Sequence, residues 1–91
     1  MKTIFKYQIP VTGEFIVEMP TEAEVLTVQI QFGRPCIWVL VDPSKEEVEE
    51  RKFGFVGTGN PAPFLEIANY IGTVQQNQGG LIWHLFEYKR G

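Results

Sequence analysis

The stretch Val25–Asp42, "VLTVQIQFGRPCIWVLVD", decides the fold, because it holds two strand-like runs of different character around a turn at Gly33–Pro35. In the first run, apolar and polar residues alternate, as in a strand with one buried face. The predicted buried face carries Leu26, Val28, Ile30 and Phe32, and the predicted solvent-facing side carries Val25, Thr27, Gln29 and Gln31. The second run, Cys36–Asp42, is apolar on both faces, which predicts a central strand or one that a partner covers.

The remaining apolar runs also have a spacing of two or are continuous, and β-branched and aromatic residues dominate them. They add predicted strands at residues 2–9, 14–19, 51–57, 70–76 and 81–89 to those at 24–32 and 36–42. A turn at Pro10–Gly13 predicts a first hairpin, and the glycines of Asn77–Gly80 suit the positive φ of a tight later one. We therefore predict an all-β fold, a small antiparallel β-sandwich or partly open barrel of about seven strands, as a single domain over residues 1–91.

Two linking segments have other patterns. Pro43–Arg51, "PSKEEVEER", carries the strong charge run and predicts a solvated turn or one helical turn between two strands. Phe64–Asn69, "FLEIAN", predicts a short helical turn.

Composition limits the classes of partner. The net charge is −3 and the basic residues are scattered, whereas a nucleic-acid polymer or an anionic membrane requires clustered Lys and Arg. The single cysteine, Cys36, lies among apolar residues, which indicates a buried, reduced thiol and excludes an intramolecular disulfide. The chain has no secretory h-region and no apolar run of about 20 residues. We expect a protein of the cytoplasm, with neither nucleic acid nor membrane as its main partner.

Catalytic chemistry has few candidate residues. The chain offers one histidine, His84, one cysteine, Cys36, and one serine, Ser44. A Cys36–His84 pair on adjacent strands would need a thiolate, but apolar surroundings raise the pKa of a thiol. Metal sites draw on several Cys, His or carboxylate ligands, and no such spacing is present. We expect no enzymatic activity, no metal and no cofactor.

The loop "VGTGNP" at Val56–Pro61 is the candidate binding loop. Its core from Gly57 to Asn60 could expose consecutive backbone N–H groups to an anion, with hydroxyl and amide groups from Thr58 and Asn60 beside them. The pattern lacks the Lys-Ser/Thr pair of a P-loop and the third glycine of a dinucleotide fingerprint. The alternative is a glycine-rich turn that leaves a strand.

Cationic and aromatic residues elsewhere extend this candidate site. Arginine side chains could meet phosphates, and a tryptophan could stack on a base with a free energy of about 1–3 kcal/mol. The predicted ligand-binding residues are Arg34, Trp38, Arg51, Gly57, Thr58, Gly59, Asn60 and Trp83. The alternative for each aromatic residue is a place in the core. The ligand that fits this set is a small nucleotide-like anion.

Two uncharged or acidic surfaces favour protein partners instead. The polar strip Thr27, Gln29 and Gln31, with the later run Gln75–Gln78, suits contact with another protein or an identical subunit, although it could be an ordinary exposed face. The acidic segment Glu46–Glu50 could imitate nucleic-acid phosphates toward a basic partner. A short chain with open sheet edges also favours a homo-oligomer, most simply a dimer.

Five blocks recur together in a known family. They are "VEMP" (Val17–Pro20), "VLTVQIQFGRPCIWVLVDP" (Val25–Pro43), "FGFVGTGNP" (Phe53–Pro61), "YIGTVQ" (Tyr70–Gln75) and "LIWHLFE" (Leu81–Glu87). In this order they resemble a family of small, uncharacterised all-β proteins encoded by tailed phages and bacterial prophages. The family has no agreed activity, so no catalytic residue carries over.

The resemblance implies a setting, which is the cytoplasm of a phage-infected bacterium. We therefore expect a non-enzymatic accessory protein of phage or prophage that acts against host defence by sequestering a small nucleotide-like ligand. Two alternatives stay open: a module that blocks a host defence protein, and a minor virion or assembly component.

Overall fold

The computed structural model describes residues 1–90 and shows an antiparallel β-sandwich. The seven strands are β1 (Thr3–Gln8), β2 (Phe15–Pro20), β3 (Glu24–Gln31), β4 (Arg34–Val41), β5 (Val48–Gly57), β6 (Ala68–Gln76) and β7 (Leu81–Tyr88). One sheet has the order β1-β4-β3 and the other has the order β2-β5-β7-β6. The all-β fold and the seven strands predicted from the apolar spacing are confirmed. No helix within residues 1–90 is long and apolar enough to cross a bilayer.

Strand β4 is the central strand of the smaller sheet, as its two apolar faces predicted. Ile37, Val39 and Val41 on its inner face are at most 1% exposed. A two-residue turn, Phe32–Gly33, joins β3 to β4, and both residues have positive φ, 52° and 77°. This is the pattern of a type I′ hairpin turn. The prediction that Phe32 lies on the buried face of β3 is wrong, because Phe32 is a turn residue and is 93% exposed.

A β-bulge in β3 overturns the prediction that Leu26 lies on the buried face of the strand. The register with β4 shifts between Val25 and Thr27, which makes Leu26 the extra residue. A bulge reverses the alternation of side chains beyond it. Leu26 is therefore 42% exposed, and Val25 takes its place on the side of the core with Val28.

The predicted hairpin of the first two strands is wrong. β1 pairs with β4 of the three-stranded sheet, whereas β2 pairs with β5 of the four-stranded sheet. The segment at Pro10–Gly13 crosses between the sheets, and the Phe55 N–H donates a hydrogen bond to the Thr12 carbonyl at 3.3 Å. Strand spacing in the sequence is the same for a hairpin and for a crossing between layers, so it did not distinguish them.

The two sides of the sandwich differ in how closely the sheets meet. On one side, β3 and β6 approach each other, and a Cβ on Gly72 would lie 2.9 Å from Cγ1 of Val28. On the other side, β1 and β2 are both edge strands and do not pair. Phe5 is 38% exposed there, although its neighbour Val39 on the same inner face is fully buried. The sandwich is therefore open between β1 and β2.

The two linking segments predicted from the charge run and the "FLEIAN" pattern differ in outcome. The turn predicted over Pro43–Arg51 is wrong for the second half of that segment, because Val48–Arg51 are the first four residues of β5. Ser44 donates from its backbone N–H and its hydroxyl to Oδ1 of Asp42, at 3.0 and 2.6 Å, which fixes the turn before β5. A single 3₁₀ turn, Leu65–Ile67, confirms the helical turn. Just before it, Phe64 packs on the outer face of the four-stranded sheet against Val56.

The ion pair between Glu14 and Lys52 gives a prediction about pH. The hydrogen bond from the Lys52 ammonium, followed by one from the Tyr88 hydroxyl, holds the pKa of the Glu14 carboxyl below its usual value. A pKa that folding lowers contributes stability above the unfolded value, about 4.3, and this contribution is lost as the pH falls through the folded pKa. We expect Lys52→Met to raise the pKa of Glu14 in an NMR titration, and an unchanged pKa would contradict the assignment.

Candidate ligand-binding site

The Gly57–Asn60 loop is a tight β-turn at the end of β5. Asn60 donates its N–H to the Gly57 carbonyl at 3.0 Å, and Gly59 has a φ of 85°, as the third position of a type II turn requires. Thr58 donates its N–H to the Ile82 carbonyl at 3.3 Å. Two amides of the loop are thus already bonded within the chain. The loop does not present the consecutive free N–H groups that an anion nest would need.

Three hollows converge on this turn. Their volumes are about 290, 250 and 240 Å³, and all three are lined by Gly57 and Asn60. Trp83 lines the first two, while His84 and Phe86 line the third. The turn therefore borders hollows on both faces of β7, with Trp83 on the inner face and His84 and Phe86 on the outer face.

Trp83 is held in a fixed orientation by a short relay of hydrogen bonds. Its indole N–H donates to Oε1 of Gln76 at 3.1 Å, and the Gln76 amide donates to the Gly33 carbonyl at 3.2 Å. A Cβ on Gly57 would lie 2.7 Å from Nδ2 of Asn60 and 3.4 Å from Cζ3 of Trp83. The absence of a side chain at position 57 therefore lets Asn60 and the indole approach each other.

His84 lines one of these hollows, although the predicted ligand-binding residues did not include it. Its ring nitrogens contact two hydroxyls, Thr58 Oγ1 at 2.7 Å and Thr73 Oγ1 at 2.9 Å. The Tyr70 hydroxyl extends this chain to Thr73 at 2.5 Å. Alternation in "LIWHLFEY" places His84 on the same outer face as Phe86, and that signal could have linked it to the loop.

The structure does not bring all predicted residues together. The loop residues and Trp83 meet. Arg34, the exposed first residue of β4, follows Gly33, whose carbonyl accepts a hydrogen bond from Gln76. Trp38, by contrast, lies on the outer face of the three-stranded sheet, opposite Lys6 and Thr27. Its neighbours Ile37 and Val39 point into the core, and alternation along β4 turns Trp38 outward.

Arg51 is also separate from the loop. It lies on the inner face of β5 and is 4% exposed. Its guanidinium contacts Glu87 through two nitrogens, one at 3.1 Å, and donates to the Ala23 carbonyl at 2.8 Å. A weaker contact reaches Glu49 at 3.4 Å. With these partners, Arg51 has a structural role and does not face a ligand in the loop.

The candidate catalytic pair is also divided between the sheets. Cys36 is 3% exposed and lies on β4, whereas His84 lies on β7 of the other sheet. Among residues 1–90, no three His, Cys, Asp or Glu side chains are grouped closely enough to hold a metal ion.

Fold and site together define a small all-β sandwich domain with an aromatic and polar surface at one end. The chain belongs to the family described as "Domain of unknown function (DUF7352)", which it matches over residues 1–91. No curated protein and no solved structure matches it. The phage setting that the sequence blocks imply stays a prediction.

Proposed function

We propose that this protein is a non-enzymatic accessory protein that binds a small nucleotide-like ligand at the Gly57–Asn60 turn. The observation that carries the proposal is the convergence of three hollows on Gly57 and Asn60, with the Trp83 indole as a wall of two of them. A base stacked on an aromatic ring contributes about 1–3 kcal/mol. The Asn60 amide and the Thr58 hydroxyl supply both donors and acceptors for the edge of such a base.

The phosphate part of the ligand needs a cation. Arg51 is unsuitable, because its guanidinium is already paired with Glu87 inside the fold. Arg34 is exposed and directly follows Gly33, whose carbonyl accepts a hydrogen bond from the Gln76 side chain that also binds the Trp83 indole. We therefore assign phosphate contact to Arg34 and base contact to Trp83 and Asn60.

The biological part of the proposal rests on the resemblance to phage and prophage proteins. Sequestering a nucleotide signal would act against host defence in the cytoplasm of an infected bacterium, and it requires binding without catalysis. Blocking of a host defence protein and a role as a minor virion component are the alternatives. A pull-down from bacterial lysate and mass spectrometry of purified particles, respectively, would detect them.

The first test is titration calorimetry against nucleosides, nucleoside monophosphates, cyclic nucleotides and ADP-ribose. We expect at least one ligand to bind more tightly than millimolar. Gly57→Ala should weaken binding about tenfold or more, because the added methyl displaces Asn60, and Asn60→Ala should do the same. Arg34→Gln should weaken binding of the nucleotide but leave binding of the matching nucleoside unchanged.

Asn69→Ala is the matched control, since Asn69 is an exposed asparagine on β6 away from the turn. Its affinity should equal that of the wild type. Thermal midpoints of all four variants, measured in parallel, separate a lost site from a lost fold. Failure of every compound in the panel to bind below millimolar concentration would refute the proposal.

A further inference from the structure

The two edge strands at the open side of the sandwich carry matching patterns of opposite charge. On the outer face, β1 and the residue before it present Lys2, Ile4 and Lys6. The corresponding outer face of β2 and of the residue before it presents Glu14, Ile16 and Glu18. Both isoleucines are exposed, by 54% and 57%. Each edge therefore has an exposed isoleucine between two like charges, and the sign differs between the edges.

The inner faces of the same strands leave apolar surface uncovered. Phe5 is 38% exposed, and Phe15 and Val17 are only partly buried against the core. Both strands also have one side without a hydrogen-bonded neighbour strand. An edge strand of this kind is a template for pairing with another strand.

The acidic edge also carries an unfavourable charge contact within the chain. Glu18 lies directly opposite Glu50 in the register of β2 with β5, and both are exposed. Like charges directly opposite each other destabilise a sheet. Among residues 1–90, neither carboxylate forms an ion pair. A lysine from another molecule would relieve this repulsion.

We propose that a second copy of this chain binds the open side, with β1 of each copy pairing antiparallel to β2 of the other. In this register, Lys2 lies opposite Glu18, Ile4 opposite Ile16, and Lys6 opposite Glu14. On the inner face, Phe5 lies opposite Phe15. A two-fold axis parallel to the strands makes both pairings at once, so each sheet continues into the other sheet of the partner copy. Such an isologous contact closes after two chains.

The positions of the two isoleucines along the sandwich fit this symmetry. Rotation about an axis parallel to the strands leaves the position of each residue along that axis, its height, unchanged, so residues that pair must lie at about the same height. The Gln76–Gly33 hydrogen bond ties the sheets together at one end. From that end, Ile4 lies opposite Leu40, six residues beyond Arg34. Ile16 lies in line with Tyr88, seven residues beyond Leu81. At about 3.4 Å per residue, the two heights are about 20 and 24 Å and differ by about one residue.

The test is a charge exchange followed by sedimentation velocity at low ionic strength. We expect the wild type to have twice the 10.4 kDa mass of one chain at tens of micromolar. Lys2→Glu alone and Glu18→Lys alone should each weaken the dimer about tenfold or more, because the symmetric contact places like charges together twice. In the Glu18→Lys variant the new lysine lies opposite Glu50, which is a favourable charge pair, so we expect this variant to fold like the wild type.

Mixing the two variants in equal amounts should restore the wild-type dimer, since each β1–β2 contact in the mixed dimer again joins opposite charges. Lys89→Glu and Glu66→Lys are exposed controls with the same changes in net charge and should leave the dimer intact. A wild-type protein with the mass of one chain would overturn the proposal. Single charge variants that dimerise as tightly as the wild type would also overturn it, as would an equimolar mixture of the two variants that forms no dimer.

Discussion

Phe53→Ala is expected to lower the free energy of unfolding by about 3–5 kcal/mol, the range observed when a fully buried phenylalanine is truncated. Phe53 is fully buried on β5, the strand that joins β2 to β7. Its ring stacks on Phe15 at a centroid distance of 5.6 Å and an interplanar angle of 14°. Truncation would leave a cavity beneath two neighbouring strands, and a rigid sheet can close it only in part.

The size of this effect matters because the chain is short. Domains have a total free energy of unfolding of about 5–15 kcal/mol. Short chains bury a smaller fraction of their surface on folding than long ones, so this domain has little stability to lose. Urea unfolding measures the change, with Phe32→Ala as the matched control. Phe32 is 93% exposed, so its truncation should stay within about 0.5 kcal/mol. A loss below about 1 kcal/mol for Phe53→Ala would show that β5 is not central to the core.

The fold class followed from local patterns, because alternation and two-sided apolar runs report which faces are covered. Cys36–Asp42 identified a central strand without any knowledge of its neighbours. Pairing between distant strands has no such local signal. The partners of β1 and β2 depend on which sheet each joins, and the sequence between them, Pro10–Gly13, suits a tight turn as well as a crossing.

The candidate site was predictable only where its residues are close in sequence or in register. Gly57 and Asn60 belong to one turn, and Trp83 lies opposite Gly57 in the sheet. Arg51 was assigned to the same site because an isolated arginine near a glycine loop resembles a phosphate contact. Its carboxylate partner Glu87 is 36 residues away in the chain, and only the pairing of β5 with β7 reveals it.

This contact makes Arg51→Ala the second variant with a large expected effect, a loss of about 3–5 kcal/mol. Removal of the guanidinium leaves the Glu87 carboxylate, whose side chain is 12% exposed, without its bidentate partner. The Ala23 carbonyl loses its donor as well. Lys45→Ala is the matched control, because the Lys45–Glu22 pair is exposed and such pairs contribute at most about 1 kcal/mol.

A double variant separates the buried charge from the buried contact. In Arg51→Met/Glu87→Leu both charges are absent and the volume is largely kept, so most of the stability lost in Arg51→Ala should return. Urea unfolding of Arg51→Met, Glu87→Leu and the double variant completes the cycle. If Arg51→Ala unfolds like the wild type and only ligand binding falls, Arg51 belongs to the ligand site after all. If the double variant is as unstable as Arg51→Ala, packing around the guanidinium, rather than the unpaired carboxylate, accounts for the loss.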